Sequence, residues 1–353
     1  MEIYILSKEI EIFGVFSTYE SILWKPCLHE PGTFKAEFIF SGKMNRILQL
    51  GNLLYKTDEL EPGIITRKYL KLNEKGEEII LIQGYMASRY MYQRIIWSKM
   101  LIKGTVEEAM RQMVYEQVIN PTNPLRIIPN IELGELHGYT EEIEKQVSYD
   151  NLQKTLTELS KISELGYRLI LDMKERKFFF DVYQGVDRTA GSSTPCIFTR
   201  DYGNVYKLEY TEDNTNYHNV CLIGGKGEDS DRIMASVGNE NAGLDRYEMF
   251  YNASGFSDKD ITENEYIKQL RQKGDEKLAS YHEARSFESK INVNKAMNYE
   301  LGDYVTCIDQ KWGITVDTQI KAIEKAYSKK EKSTVVTFGD DAPSLMQLIK
   351  AKE

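Results

Sequence analysis

The sequence predicts an α+β protein that is mainly antiparallel β. Runs of alternating apolar and polar residues, separated by short polar turns, occupy residues 1–100 and again about 195–342. Apolar residues recur at helical spacing in three other segments. The composition agrees, because the chain of 353 residues has 23 tyrosines and 8 prolines, which suits half-buried pleated surfaces.

Residues 1–100 are predicted to form the first β domain. Its clearest element is a hairpin in TRKYLKLNEKGEEIILIQG, where two alternating runs are joined at residues 73–76. Gly76 can adopt the positive φ that such a turn needs. Upstream, PGTFKAEFIF alternates four apolar positions with more polar partners, which is typical of a half-buried strand.

Residues 101–194 are predicted to form a small α+β domain. Thr105 and Glu108 have the spacing of a capping box, so we expect a helix to begin there and to end at Asn120-Pro121. A second helix is expected from about Asp150, with Gly166 as the residue after its end. The stretch RLILDMKERKFFFDVY then predicts a hairpin.

The second β domain is predicted at residues 195–258 and 289–342, with a tail at 343–353. A helix in residues 259–288 interrupts it, beginning with a capping box formed by Thr262 and Glu265. The interior glycine Gly274 makes this helix marginal alone, at a cost of about 1 kcal/mol relative to alanine. We therefore expect the helix to dock on the α+β domain. Its apolar stripe comprises Ile267, Leu270, Leu278, Tyr281 and Phe287.

Charge and cysteine content narrow the classes of function. The net charge of −9 argues against a protein that holds nucleic acid, because binding to phosphates needs a cationic surface. The first residues carry too many charges for an export signal, and no apolar run approaches the roughly 20 residues of a membrane span. The four cysteines are widely scattered, which favours buried reduced thiols over disulfides or a zinc site.

Two motifs resemble ligand sites but fit them poorly. Ile223–Gly227 follows a predicted strand, as a phosphate loop would. In a phosphate loop the lysine is followed by Ser or Thr and the start of a helix, whereas here acidic residues follow Lys226 and Gly227. A phosphate loop is therefore disfavoured. His218 and Cys221 have a metal-like spacing, but a closed zinc site needs two further ligands. The other histidines lie in three separate segments, at His29, His137 and His282. We predict no metal and no cofactor.

No catalytic residue is predicted. Residues 191–195 (GSSTP) lack the strand–turn–helix context of a nucleophile elbow and indicate a polar linker. Glu141, Glu142 and Glu144 indicate a solvated face, and residues 212–219 (EDNTNYHN) lack the pattern of a calcium loop. Paired carboxylates for glycoside hydrolysis stay open as an alternative, because such pairing is spatial and 54 acidic residues offer no means of choosing two.

Three segments, taken in chain order, carry a resemblance to a known family. The first combines ILWKPCLHEPGTFKAEFIF, LQLGNLLYKTDELEPGIITRKYLKL and ILIQGYMASRYMYQRIIW, which ends in an arginine-bearing exit at Arg94. The second is NVCLIGGKGEDSDR, and the third is GDYVTCIDQKWGITVDTQI followed by TVVTFG. In this order they resemble the phage tail-tip or baseplate hub proteins, also called tail-associated proteins. This group includes the siphovirus tail proteins of ReqiPepy6 type and is related to the T-even phage baseplate hub.

The resemblance implies two similar tube-type β-barrels. It also implies that the segment Leu301–Ile314 has a structural role. Asp303 is expected to support a turn through its carboxylate, Cys307 to point into a barrel, and Asp309 to start a hairpin. None of the three is then a catalyst.

The resemblance also implies a function. We expect a non-enzymatic structural hub of a contractile or siphophage tail, or of a tail-like particle, encoded by a phage or prophage. As a homotrimer it would form a ring that joins the tail tube or distal tail ring protein to the tip, spike and tape measure proteins. DNA could pass through its lumen without specific binding. The expected location is the virion tail, after assembly in the bacterial host cytoplasm. The alternatives are a cell-wall (peptidoglycan) hydrolase and a glycan-binding module at the tail tip.

Overall fold

The computed structural model describes residues 2–73, 75–256, 261–279, 281, 284–291, 297–329 and 331–339. The chain divides into two compact units. The first comprises Met1–Glu209 and Phe287–Gly339, and the described part of the second lies within Tyr210–Ser286. The predicted domain boundaries at 100 and 194 therefore fall inside the first unit. The predicted tail at 343–353 lies outside the described residues.

The first β region has seven strands and one short helix. They are β1 (Ile3–Leu6), β2 (Ile12–Phe16), β3 (Ser21–Lys25), β4 (Thr33–Ile39), α1 (Gly42–Ile47), β5 (Leu53–Lys56), β6 (Gly63–Leu72) and β7 (Glu78–Met86). The alternation seen in the sequence is real: Phe34, Ala36 and Phe38 of β4 are buried beside Trp24 of β3. These strands pair antiparallel in the order β3-β4-β7-β6-β5-β1-β2.

The predicted hairpin of this region is confirmed as β6 and β7. The side-chain oxygen of Asn73 accepts hydrogen bonds from the amides of Lys75 and Glu77, at 3.0 and 2.9 Å. Gly76 has a φ of +78°, which a residue with a Cβ rarely adopts. The turn chemistry therefore fixes the register in which the two long strands pair.

The α+β part follows directly. It contains β8 (Met100–Thr105), α2 (Val106–Val114), a π-helical turn (Tyr115–Ile119), β9 (Ile131–Leu133), β10 (Glu142–Val147), α3 (Leu152–Ser163), β11 (Gly166–Asp172) and β12 (Lys177–Tyr183). The predicted capping box is confirmed, because the Thr105 hydroxyl accepts from the amide of Glu108 while the Glu108 carboxylate accepts from the amide of Thr105. Helices α2 and α3 and the strands β11 and β12 share one hydrophobic core.

The prediction that Gly166 follows the end of α3 is wrong. Glu164 takes the left-handed conformation there, with a φ of +58°, and Gly166 is already the first residue of β11. The glycine has a packing reason instead, because a Cβ at Gly166 would lie 2.4 Å from the ring of Tyr183 and 2.6 Å from Leu28. This glycine thus does not end a helix but is required because the side chains of Tyr183 and Leu28 approach the backbone closely.

The remaining strands continue the sheet of the first region. They are β13 (Asp187–Arg188), β14 (Ile197–Thr199), β15 (Val205–Asp213), β19 (Ala284–Ile291), β20 (Tyr304–Asp309), β21 (Ile314–Ser328) and β22 (Lys332–Gly339). The long strand β21 pairs with β20 in its first half and with β22 and β3 in its second, where Lys325 lies opposite Trp24. Both predicted β regions thus contribute to one hydrogen-bonded sheet. The predicted fold class, mainly antiparallel β with few helices, is confirmed.

The second unit is a three-stranded sheet with a helix on one face. Its elements are β16 (Val220–Gly224), β17 (Met234–Val237), β18 (Glu248–Asn252) and α4 (Glu263–Leu278). The capping box of Thr262 and Glu265 is confirmed. Tyr266 and Leu270 of the helix are buried against Cys221 and Ile223 of β16.

Within its own unit α4 packs on a sheet, and its docking on the α+β domain stays a prediction. Its apolar side packs on the sheet of its own unit, with Leu270 fully buried and Ile267 and Leu278 partly buried there. Strands β16 to β18 had been assigned to the second β domain, but they form the sheet that this helix covers. Tyr281 packs edge-on against His218, and the side chain of Phe287 lies outside the described residues. None of the described helices is both long enough and apolar enough to cross a bilayer.

Candidate functional site

Asp303 has the structural role expected of it, with three hydrogen bonds to its buried carboxylate. Oδ2 accepts from the Glu300 amide at 2.8 Å, which closes the turn, and from Arg188 Nε at 2.7 Å. Oδ1 accepts from the Val186 amide at 2.8 Å. The adjacent Gly302 has a φ of +95°. Three fixed donors therefore hold this carboxylate in place.

Cys307 and Asp309 are likewise structural. Cys307 is buried in β20, and burial raises the pKa of its thiol far above the physiological range. Asp309 ends β20, and its Oδ1 accepts from the Trp312 amide at 3.0 Å, as expected for the start of a hairpin. Burial acts to raise the pKa of Asp309, but the hydrogen bond from Trp312 and the guanidinium of Arg200 lower it overall.

The glycine-rich segment after β16 serves packing. A Cβ on Gly225 would lie 2.7 Å from Leu270 and 3.0 Å from the Tyr266 ring, so glycine lets α4 approach the strand end. The carbonyls of Gly224 and Gly225 accept hydrogen bonds from Arg232, at 3.0 and 3.1 Å. The segment leads through a three-residue 3-10 turn, Asp229–Asp231, into β17 and not into an α-helix, so it lacks the geometry of a phosphate loop.

The described histidines and cysteines are dispersed. His29 lies 2.8 Å from the Ser160 hydroxyl, and His137 Nε2 lies 3.0 Å from the carboxylate of Asp181. His218 Nδ1 is enclosed and has no hydrogen-bond partner within the described ranges, and Cys221 is buried. Across the described residues, no three His, Cys, Asp or Glu side chains are grouped as a metal site would need. His282 lies outside them.

The remaining acidic and hydroxyl candidates are also separated. Glu142 and Glu144 are exposed on β10, as predicted, but Glu141 is half-buried, and its Oε2 has no hydrogen-bond partner among the residues described. In the linker 191–195 the Thr194 hydroxyl accepts from Arg188. In residues 212–219 the Asp213 carboxylate accepts from the Thr215 amide, which makes a tight turn.

Two glutamates that the sequence did not indicate, the buried Glu107 and the partly buried Glu61, tie the first unit together. The carboxylate of Glu107 on α2 is fully buried and accepts from the amides of His137, Gly138 and Tyr139, at 2.7, 2.8 and 3.1 Å. The carboxyl of Glu61 accepts from the amides of Ser88 and Leu169. Burial raises the pKa of Glu61 to about 7.

Glu61 lines a cavity of about 380 Å³ in the first unit. Charged residues in its wall are engaged with protein groups: Lys325 Nζ lies 2.7 Å from Glu59, and Arg168 is 2.8 Å from Asp181 and stacks on Tyr183 at 4.1 Å. Because these partners already neutralise one another, the wall presents few groups for recognising a ligand. The cavity is therefore a weak candidate for a small-molecule site.

The surface feature that stands out is the outer strand β2. Its neighbour in the described sheet is β1, and it lies at the end of the strand order, so its outer edge is open. Ile12, Phe13 and Val15 are 55%, 44% and 47% exposed, and together they carry apolar side chains on both faces of the strand. An open, apolar edge strand is a site for pairing with another chain.

Three solved structures of tail proteins share this fold. The tail protein from Neisseria meningitidis MC58 has a TM-score of 0.59 and 13% identity, with 96% of each chain covered. The 43 kDa tail protein of prophage MuSo2 from Shewanella oneidensis has a TM-score of 0.61 and 12% identity, covering 96% of this chain and 98% of that one. Prophage tail protein gp18 from Listeria monocytogenes EGD-e has a TM-score of 0.51 and 11% identity, covering 100% and 99%.

The fold is thus that of phage and prophage tail proteins. The sequence profile of the Siphovirus ReqiPepy6 Gp37-like proteins matches residues 2–340, and the chain belongs to that family. A search of curated protein sequences found no significant match. The family resemblance inferred from the three sequence segments is therefore confirmed.

Proposed function

We propose that this chain is the structural hub of a phage tail tip or baseplate, and that three copies close into a ring. Membership of a siphovirus tail protein family and the shared fold support a role in the tail. The observation that carries the proposal is the open apolar strand β2, whose side chains Ile12, Phe13 and Val15 a permanent monomer would leave in water.

In this proposal the ring joins the tail tube or distal tail ring protein to the tip, spike and tape measure proteins. A trimer can meet a sixfold tube if each chain offers two similar docking units, which we assign to the two β regions. The net charge of −9 suits a lumen through which DNA moves without being held. Assembly would take place in the host cytoplasm, and the protein would act without catalysis, metal or cofactor.

The buried acids support a structural and not a catalytic role. Asp303 and Glu107 each accept three hydrogen bonds from fixed donors. A general acid or base must instead be free to exchange a proton with a substrate. These contacts do not favour the hydrolase alternative.

The proposal is tested in the phage or prophage that encodes the chain. An early stop codon in the gene should leave filled heads and abolish joined, complete tails in electron micrographs, and supplying the wild-type gene from a plasmid should restore them. Complete tails of normal length and tip structure in the mutant would contradict the hub assignment.

A further inference from the structure

A second surface of the first unit combines arginines with exposed apolar side chains. It lies where the chain leaves the 3-10 helix Ala87–Gln93 and enters β8, beside the turn Pro124–Arg126. We call it the arginine patch. The arginine patch comprises Tyr92, Arg94, Ile95, Trp97, Leu125 and Arg126.

Hydrogen bonds from arginine side chains to backbone carbonyls hold the two segments of the arginine patch together. Arg94 Nε donates to the Arg126 carbonyl at 2.6 Å, and an Nη of Arg126 donates to the Ile95 carbonyl at 2.6 Å. Arg126 also lies 4.6 Å above the ring of Trp97. The neighbouring Arg89 stacks on Tyr92 at 3.7 Å. The cations are therefore pre-positioned, so a partner would lose little side-chain entropy in contacting them.

The positive charge of this surface is not neutralised within the described residues. There, no carboxylate oxygen lies within 4.0 Å of the guanidinium groups of Arg89, Arg94 or Arg126. Burial lowers the pKa of Arg94, and the adjacent charge of Arg126 lowers it further. Two half-buried guanidinium groups side by side would be stabilised by an anion that approached them.

The apolar side chains of the arginine patch are largely exposed to solvent, which is typical of a surface that binds a partner. Leu125 is 92% exposed and Trp97 is 59% exposed, and Tyr92 and Ile95 are exposed beside them. Tryptophan, tyrosine and arginine are the residue types most enriched where binding energy concentrates in protein interfaces. Scattered single apolar residues are ordinary on a surface, but this group is contiguous and cationic.

We propose that the arginine patch binds an acidic, partly apolar surface of a second copy of this chain. The inference rests on the proposed ring and names one of its contact surfaces. Charge complementarity favours another copy: the chain has a net charge of −9, so without Arg94, Arg126 and the neighbouring Arg89 the rest of the chain carries −12. The rest of each copy is thus acidic overall, and a contact between different surfaces of identical chains can close a ring.

A protein partner fits this surface better than nucleic acid does. Aliphatic side chains such as Ile95 and Leu125 have no counterpart in a phosphate backbone, while they match the apolar centre of a protein interface. The net charge of −9 also disfavours binding of a long polyanion.

Leu125 gives a sharp test, because its side chain can be changed without touching the core. Leu125→Asp places a carboxylate beside the arginines, where it would compete with the partner's acids, whereas Leu125→Lys removes the same apolar side chain but keeps the patch cationic. Leu244→Asp is the matched control, since Leu244 is 95% exposed in the other unit. Thermal unfolding monitored by circular dichroism checks that all variants fold.

The readout is the trimer dissociation curve of the full chain by mass photometry and sedimentation velocity, at low and high salt. We expect Leu125→Asp to weaken association at least about tenfold, Leu125→Lys to weaken it less, and Leu244→Asp to leave it unchanged. Wild-type association should weaken as salt screens the contact.

Three results would overturn the inference. If the wild-type chain forms a trimer that Leu125→Asp does not weaken, the patch is not a ring contact, and the hub proposal is unaffected. A wild-type chain that stays monomeric would contradict both the patch contact and the proposed ring. An unchanged trimer whose binding to labelled single-stranded DNA is abolished by Leu125→Asp would assign the patch to nucleic acid.

Discussion

Asp303 and Arg188 form a buried ion pair, in which Oδ2 of Asp303 lies 2.7 Å from Nε of Arg188 and the aspartate side chain is 2% exposed. The pair joins the start of β20 to β13, which runs parallel to it. Two backbone amides complete the coordination of the carboxylate. The carboxylate of Asp303 thus ties its own turn, residues 300–303, to residues 186–188.

Replacing Asp303 by alanine should destabilise the protein strongly. Arg188 would be left largely buried without its counter-charge, and breaking such a pair costs about 3–5 kcal/mol. Urea unfolding curves measure the loss. The control is Glu132→Ala, which removes the surface pair with Lys177 and should cost no more than about 1 kcal/mol. Equal losses in the two variants would contradict the structural role of Asp303.

Glu61 should make stability depend on pH. Burial raises its folded-state pKa to about 7, above the value in the unfolded chain. The folded state therefore binds the proton more tightly. This contribution is present below the unfolded pKa and is lost as pH rises from about 4.5 to about 7, at no more than roughly 1.4 kcal/mol per pH unit.

The variant Glu61→Gln isolates that effect, because glutamine can still accept from the Ser88 and Leu169 amides but does not titrate in this range. The difference in unfolding free energy between wild type and variant should move in favour of the variant as pH rises through this window. Denaturant unfolding at a series of pH values measures it. A difference that stays constant with pH would show that Glu61 titrates normally.

Replacement of Gly274 by alanine should be better tolerated when the side chain of Ile223 is made smaller. A Cβ there would lie 2.6 Å from Cδ1 of Ile223, so the gain of about 1 kcal/mol in helix propensity is opposed by an overpacking cost of about 1–3 kcal/mol. We expect Gly274→Ala to leave stability unchanged or to lower it. In the background of Ile223→Val, which removes that methyl group, the same change should be less unfavourable.

A double-mutant cycle of these two substitutions, followed by denaturant unfolding, gives the coupling energy. Gln272→Ala, at an exposed position of the same helix, is a control substitution away from the contact between Gly274 and Ile223. Additive effects of Gly274→Ala and Ile223→Val would mean that the helix does not press on β16 as described.

Local features of this fold could be predicted from sequence, and features that depend on distant partners could not. The capping boxes at Thr105 and Thr262 and the turn at Asn73 are confirmed, because each is complete within a few residues. The role of Glu61 was missed, since its partner Leu169 lies 108 residues further along the chain. The pairing of β21 with β3 and the packing of α4 on β16 are likewise set by tertiary contacts that periodicity does not encode.

The candidate surfaces likewise depend on contacts between distant parts of the chain, which the sequence alone does not reveal. Alternation predicted antiparallel β structure across residues 1–100 but could not tell that β2 lies at the open end of the sheet, because strand order is a property of the whole fold. The arginine patch brings residues 92–97 together with 125–126, and only their juxtaposition distinguishes the surface from isolated exposed side chains. The family resemblance depended instead on the order of whole segments and is confirmed by the family match.

The protein should show no hydrolysis of peptidoglycan or of common glycosidase substrates, because fixed donors of the fold already engage the buried carboxylates of Asp303 and Glu107. Turnover is measured by release of reducing ends and by turbidity, with a known lysozyme as the positive control. Robust turnover that a single carboxylate substitution abolishes would contradict the non-enzymatic assignment.

The mass of the assembled particle in solution tests the hub proposal most directly. Sedimentation equilibrium of the full chain over a wide concentration range should give a species of three times the chain mass of 40.9 kDa, and it should be lost when Phe13 and Val15 of the open strand β2 are both changed to aspartate. A particle of 40.9 kDa at every concentration would contradict the ring.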